Sequence, residues 1–168
     1  YHKIFFVTDA AMNINPDLNQ KKEIIENALQ LAYSLGIHKP KVAIIGAKEK
    51  VSKNMEATIH AKELSDMNNK GQIKNCIVEG PFALDNAISK EAAIHKGINS
   101  QVAGDADILL VPNIEAGNVL YKSLTFFAKA KSAGIILGTK APIVLTSRAD
   151  NEEAKLHSIA LGVLLTSR

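Results

Sequence analysis

Two short stretches hold side chains that can do chemistry together. In Thr146-Ser-Arg-Ala-Asp-Asn-Glu-Glu153, Ser147 and Arg148 stand between the end of an extended run and the start of a helical one. A hydroxyl, a guanidinium fork and the free amides of a helix N-terminus together make a holder for an oxyanion or a phosphate. Asp150 has two open readings: a helix cap, with Glu153 in an acidic first turn, or a carboxylate that works on the bound group. The second stretch, Glu115-Ala-Gly-Asn-Val-Leu-Tyr-Lys122, offers Asn118, Tyr121 and Lys122. Asn118 is a poor helix former beside Gly117, so a cap or a ligand contact must account for it. Tyr121 is either a cover on the core edge or a cleft residue, and Lys122 either a solvated cation or a partner for an anion. Asp85 and Asn86, after Gly80-Pro81, divide in the same way between turn chemistry and site.

Other chemistries lack their residues. The chain has no Gly-x-Gly-x-x-Gly after a strand, no Gly-x-Ser-x-Gly elbow and no His-Glu-x-x-His. Gly46-Ala-Lys-Glu-Lys50 follows a strand and opens a helix, but it lacks the second glycine and the Lys-Ser/Thr pair of a phosphate loop. The five histidines are scattered over different segments, and the single cysteine, Cys76, falls in an apolar run as a small core residue. No Cys/His cluster has metal-ligand spacing.

The elements that must position these residues follow from periodicity. Apolar runs at Ile4–Thr8, Val42–Ile45, Cys76–Val78 and Ile108–Val111 read as strands, with shorter extended segments at Ile135–Leu137 and Ile143–Thr146. Between them lie helical patterns. Asn15-Pro16 is read as cap and first helical residue of a helix with Leu18, Ile25, Ala28, Leu29, Ala32 and Leu35 inward, stopped by Gly36. Further helices are expected over about Lys48–Met67, partly over Phe82–Lys96, from Asn118 to about Ala133 along an apolar face of Ala116, Val119, Leu120, Leu124, Phe127 and Ala130, and over Asn151–Leu165. Strands alternating with helices of this length imply an α/β fold: a mostly parallel sheet covered on both faces, with one of the last two extended segments antiparallel. In such a sheet ligands collect at the carboxyl edge, where both candidate stretches lie.

A chain of 168 residues, 46% hydrophobic and 22% charged, has material for one globular core. Its formal net charge of +3, from 20 basic and 17 acidic residues without blocks of like charge, does not argue for nucleic acid. No apolar stretch reaches the roughly 20 residues that span a bilayer, and the lone cysteine fits a reducing cytoplasm. The absence of an initiator Met before an inner-strand pattern is read as a piece of a longer protein.

Five ordered motifs make a specific resemblance. Asp9-Ala-Ala-Met-Asn13, Glu79-Gly-Pro-Phe-Ala-Leu-Asp-Asn-Ala-Ile88, Ala103-Gly-Asp-Ala-Asp-Ile-Leu-Leu-Val-Pro112, Glu115-Ala-Gly-Asn-Val-Leu-Tyr-Lys122 and Leu145-Thr-Ser-Arg148 resemble the phosphate acetyl/butyryltransferase family, and look closer to its butyryl branch. The resemblance implies a two-domain α/β enzyme, similar to the isocitrate and isopropylmalate dehydrogenases, with its site in the interdomain cleft. Residues 1–148 would be the second domain, and 149–168 a helix returning toward the first. It implies acyl transfer between coenzyme A and inorganic phosphate through an acyl phosphate, no metal or redox cofactor, and a homodimer. It places Ser147 and Arg148 on the oxyanion and on the phosphate or coenzyme A, and makes Asn118, Tyr121, Lys122 and Asp85 substrate-binding candidates. The acetyl branch has a cysteine two positions after the arginine and an aspartate base six positions after it; here those positions hold Asp150 and Ala154, so the base is Asp150 or Glu153 in substitution, or the butyryl branch relies on proximity and an already acidic thiol. The rival expectations are a phosphate acetyltransferase and a non-catalytic coenzyme A-binding or dimerisation module.

Overall fold

The computed structural model describes residues 1–148 and 150–167. Four strands, β1 (Phe6–Thr8), β2 (Lys41–Ile45), β3 (Ile77–Phe82) and β4 (Ile108–Leu110), form one sheet in the order β1-β4-β2-β3, with every pairing parallel. Six helices accompany them: α1 (Leu18–Ser34), α2 (Glu56–Asn69), α3 (Leu84–Ile88), α4 (Lys90–His95), α5 (Ile114–Phe126) and α6 (Glu152–Thr166).

The two central strands are buried on both faces, which is why they read as unbroken apolar runs. Val42, Ile44, Ile108 and Leu110 point to one side and pack with Ile25, Ala28, Leu29 and Ala32 of α1 and Ala61 and Leu64 of α2. Ala43 and Leu109 point to the other side and pack with Ala87, Ala93, Val102 and Ala103, with Leu120 of α5 against the same cluster. The alternation gives helix, sheet and helix as three layers. Each fully buried Leu or Ile side chain contributes about 2 kcal/mol of transfer free energy to that core.

Local signals explain most element ends. The cap of α1 is Asp17, two residues beyond the expected Asn15: its carboxylate accepts from the Gln20 N–H at 2.9 Å while Gln20 Oε1 accepts from the Asp17 N–H at 2.9 Å. That reciprocal pair satisfies two amides at once, which a lone Asn before Pro16 cannot match. Gly36 ends the helix at φ +82°, as expected. Helix α2 starts at Glu56 rather than near Lys48, because the 46–55 stretch is held by side chains: Thr58 Oγ1 accepts from the Ser52 N–H at 2.8 Å and donates to the Met55 carbonyl at 2.7 Å. Strand β3 continues from Val78 to Phe82 through Gly80 and Pro81, where a Cβ on residue 80 would lie 2.8 Å from that of Ile44.

Two expectations about burial fail. Helix α5 stops at Phe126 and only Gly117 in it is buried; of the expected inward face Leu120 and Leu124 are half-buried, while Val119 at 66% and Phe127, just past the helix, at 87% are exposed. In α6 the buried residues are the small ones, Ala154, Ser158 and Gly162, spaced four apart, while Leu156, Ile159 and Val163 face outward. The extended segments after α5 meet at a single antiparallel bridge, Ile136 to Ile143, instead of forming strands.

Candidate active site

The carboxyl edge gains its shape from edge strand β1 and its neighbour β4. After β1 the chain turns toward α1 on one face, and after β4 toward α5 on the other, so the edge between these neighbouring strands is a switch point where a crevice opens. Asp9 organises the first loop: Oδ1 accepts from the N–H groups of Ala11 and Met12 at 2.9 and 3.0 Å, and Oδ2 from that of Asn13 at 2.9 Å. Asn113 starts the second element as the cap of α5, its Oδ1 accepting from the Ala116 N–H at 3.0 Å. Gly117 lets the two meet, since a Cβ there would lie 2.7 Å from the Asp9 carbonyl oxygen and 2.8 Å from Ala10 Cα.

Along α5 the helix then presents Tyr121 and Lys122 to the loop that precedes α6. Tyr121 donates its hydroxyl hydrogen to Asp150 Oδ1 at 2.9 Å, and the Ser147 N–H donates to Asp150 Oδ2 at 2.6 Å. Lys122 Nζ lies 3.4 Å from Ser147 Oγ and above the Tyr121 and Phe126 rings, 4.7 and 5.9 Å from their centroids. Among the described residues Lys122 and Arg148 have no carboxylate in ion-pair range, and Arg148 is exposed. A cation and a hydroxyl thus meet at a partly exposed wall beside the loop that carries Arg148, an arrangement that suits an anion. Partial burial, and then the Asp150 carboxylate, push the Tyr121 hydroxyl up to about 12, so it stays a donor at any ordinary pH.

The residues singled out in sequence separate into two groups. Tyr121, Lys122, Ser147 and Asp150 come together, with Arg148 on the same loop. Asn118 is exposed, and no side-chain hydrogen bond holds it among the described residues. Asp85 lies outside the group, beyond edge strand β3: its Oδ2 is 3.0 Å from Lys96 Nζ, and Lys96 is 2.9 Å from Glu49 Oε1. Asp150 does not cap α6; that place belongs to Asn151, whose Oδ1 accepts from the Ala154 N–H at 2.9 Å. Ala149, next to the pair, lies outside the described residues, as does Arg168 at the end of the proposed returning segment.

Other early candidates are structural. Glu49, in the Gly46-Ala-Lys-Glu-Lys50 loop, accepts from Asn86 Nδ2, and the Gly46 N–H is bound by the Phe82 carbonyl at 2.7 Å. Cys76 is buried next to β3, and burial raises its thiol to about 11, which suits a core residue. His2 contacts Asp105, and His60 Nδ1 lies 3.0 Å from Lys21 Nζ. Among the described residues no three His, Cys, Asp or Glu side chains gather as metal ligands, and no helix is long and apolar enough to cross a membrane.

Sequence reasoning missed Phe126 under Lys122. The four-residue spacing from Lys122 to Phe126 was a readable sign.

A family model described as phosphate acetyl/butaryl transferase matches residues 2–163. A probable phosphate butyryltransferase of Bacillus subtilis (strain 168) is 56% identical over 163 residues, covering 97% of this chain and 54% of the relative. A phosphate acetyltransferase of Thermotoga maritima is 57% identical over 158 residues, covering 94% and 54%. Among solved structures, a branched-chain phosphotransacylase from Enterococcus faecalis V583 superimposes with a TM-score of 0.89 at 46% identity, over 96% of this chain and 58% of that one. The chain thus spans about half the length of the curated relatives it matches. With nearly its whole length matched, the chain belongs to the phosphate acetyl/butaryl transferase family.

Proposed function

We propose that the protein moves a short acyl group, butyryl, between coenzyme A and inorganic phosphate. The observation that carries this reading is Lys122 Nζ set 3.4 Å from Ser147 Oγ, with the exposed Arg148 next along the same loop. In one direction a phosphate oxygen attacks the thioester carbonyl of acyl-coenzyme A. A tetrahedral oxyanion forms, the carbon–sulfur bond breaks, and acyl phosphate and the coenzyme A thiolate result. Ser147 donates to the oxyanion, and Arg148 and Lys122 neutralise phosphate charge as it approaches or leaves. No oxidation state changes, so the reaction as proposed calls on no redox cofactor; it is read as metal-free too, with coenzyme A a substrate.

The matched relatives carry both butyryl and acetyl names at 56% and 57% identity, and this keeps acetyl as a second acyl group. The domain assignment belongs to the same proposal: residues 1–148 form one domain of a two-domain enzyme, and 149–168 carry α6 toward the other. The outward apolar residues of α6 and the greater length of the relatives support it. A homodimer acting in the cytoplasm completes the reading; the lone buried thiol of Cys76 suits a reducing compartment. A binding or dimerisation module without catalysis is the competing outcome of the test. Full-length protein is incubated with butyryl- or acetyl-coenzyme A, with and without phosphate, and free thiol is followed. Phosphate-dependent thiol release with acyl phosphate as co-product is expected; binding without release would leave only the module.

A further inference from the structure

Among the described residues Asp150 is the carboxylate that meets Tyr121 and Ser147, and its geometry points to a positioning role. Both of its oxygens are engaged: Oδ1 by the Tyr121 hydroxyl at 2.9 Å, Oδ2 by the Ser147 N–H at 2.6 Å. The hydroxyl belongs to α5 and the amide to the loop that carries Ser147 and Arg148, so a single side chain ties the loop to the helix. Lys122 is the next residue along that helix and meets Ser147 Oγ at 3.4 Å. The tie therefore sets the distance between the hydroxyl and the cation.

We propose that Tyr121 and Asp150 are positioning residues, a latch that fixes Ser147 and Arg148 against Lys122, and that Asp150 is not the base. This rests on the acyltransferase reading and assigns roles within it. Turning the Asp150 carboxylate toward a substrate would break one of the two hydrogen bonds that join the loop to α5. The latch also needs a donor that is never lost, and the Tyr121 hydroxyl stays protonated throughout the working range. A base at residue 150 would instead need one oxygen open toward the thiol.

Full-length Tyr121→Phe, Asp150→Asn and Asp150→Ala proteins separate the two roles. Rates are measured against phosphate concentration and pH, with hydrogen exchange at the Ser147 amide as a readout independent of activity. The latch is expected to make Tyr121→Phe lower kcat/KM for phosphate about tenfold or more, the effect of losing one hydrogen bond to a charged group. Asp150→Asn, which keeps one acceptor oxygen, should fall between wild type and Asp150→Ala, all with the wild-type pH profile. Exchange at Ser147 should quicken in Tyr121→Phe. The latch is overturned if Tyr121→Phe matches wild type in rate and exchange, or if Asp150→Asn is as inactive as Asp150→Ala and loses the acidic limb of the profile. Wild-type protein without phosphate-dependent thiol release would sink the acyltransferase reading itself and the latch with it, a failure told apart because it shows before any variant is compared.

Discussion

Replacing Gly117 by Ala tests whether the close approach of α5 to the β1 loop holds the wall in place. In an ordinary helix interior this change stabilises by about 1 kcal/mol, because alanine loses less chain entropy than glycine. Here the new Cβ would lie 2.7 Å from the Asp9 carbonyl oxygen, 2.8 Å from Ala10 Cα and 2.8 Å from Val111 Cγ2. Optimal carbon contacts are about 3.5–4.0 Å, so the overlaps are roughly 0.7–1.3 Å, and two of the three are with backbone that cannot rotate away. Overpacking of this kind costs about 1–3 kcal/mol. Set against the propensity gain, the net is a loss of about 1 kcal/mol, opposite in sign to the generic expectation. If α5 moves out by the same amount, the Lys122 to Ser147 contact of 3.4 Å opens past hydrogen-bond range, and activity falls further than stability does. Misplacement by about 1 Å can cost on the order of 100-fold in rate. Urea unfolding followed by circular dichroism gives the first quantity, and phosphate-dependent thiol release by the full-length protein gives the second. A variant that is about 1 kcal/mol more stable and fully active would refute the reasoning.

Two further outcomes follow from other parts of the molecule. At the amino ends of the strands Asp105 accepts from Lys3, Lys41 and His2, with ion-pair distances of 2.9, 2.6 and 3.0 Å, and these partners, Lys3 first, hold its carboxyl well below the usual range. A depressed pKa means stability present above the ordinary carboxylate range and lost as pH falls below about 4. Asp105→Asn should therefore lower stability at pH 7 by about 1 kcal/mol, discounted for solvent screening, and shrink the difference between pH 7 and pH 3; an unchanged pH dependence would contradict the assignment. With its thiol at about 11, Cys76 should carry roughly 100-fold less thiolate at neutral pH than an exposed cysteine, and burial blocks it as well. An Ellman-type reagent should label it only after unfolding, and rapid labelling of the folded protein would place it on the surface.

The parts of the fold that could be read in the sequence are those where one local signal decides. The runs at Val42–Ile44 and Ile108–Leu110 are apolar on both faces because helices cover both sides, and α1 shows a full inward stripe from Ile25 to Ala32. The cap of α1 was misplaced because Asn15-Pro16 satisfies a sequence rule, whereas Asp17 and Gln20 satisfy two amides together. Periodicity names a face but not what covers it: on the expected α5 face Leu120 packs on the core, yet Val119 and Phe127 are exposed. In α6 the packed face is the small-residue row of Ala154, Ser158 and Gly162, which a search for large apolar residues passes over. The wall was legible by residue type, since Ser147 and Arg148 precede a helix and Tyr121 and Lys122 share an edge. The partnership of Asp150 with both elements was not, because it joins residues 29 apart in the chain. Asp85 drew attention by its turn context and belongs instead to the ion pairs of Lys96.

The central claim is that Arg148, with Ser147 and Lys122, receives phosphate for acyl transfer. Its most direct measurement is the initial rate of thiol release from butyryl-coenzyme A against phosphate concentration, for full-length wild type and Arg148→Ala. Loss of a charge-assisted phosphate contact of about 1.5–3 kcal/mol should shift the phosphate dependence upward by roughly 10- to 150-fold while the protein stays folded. An Arg148→Ala protein with the wild-type phosphate dependence would contradict it.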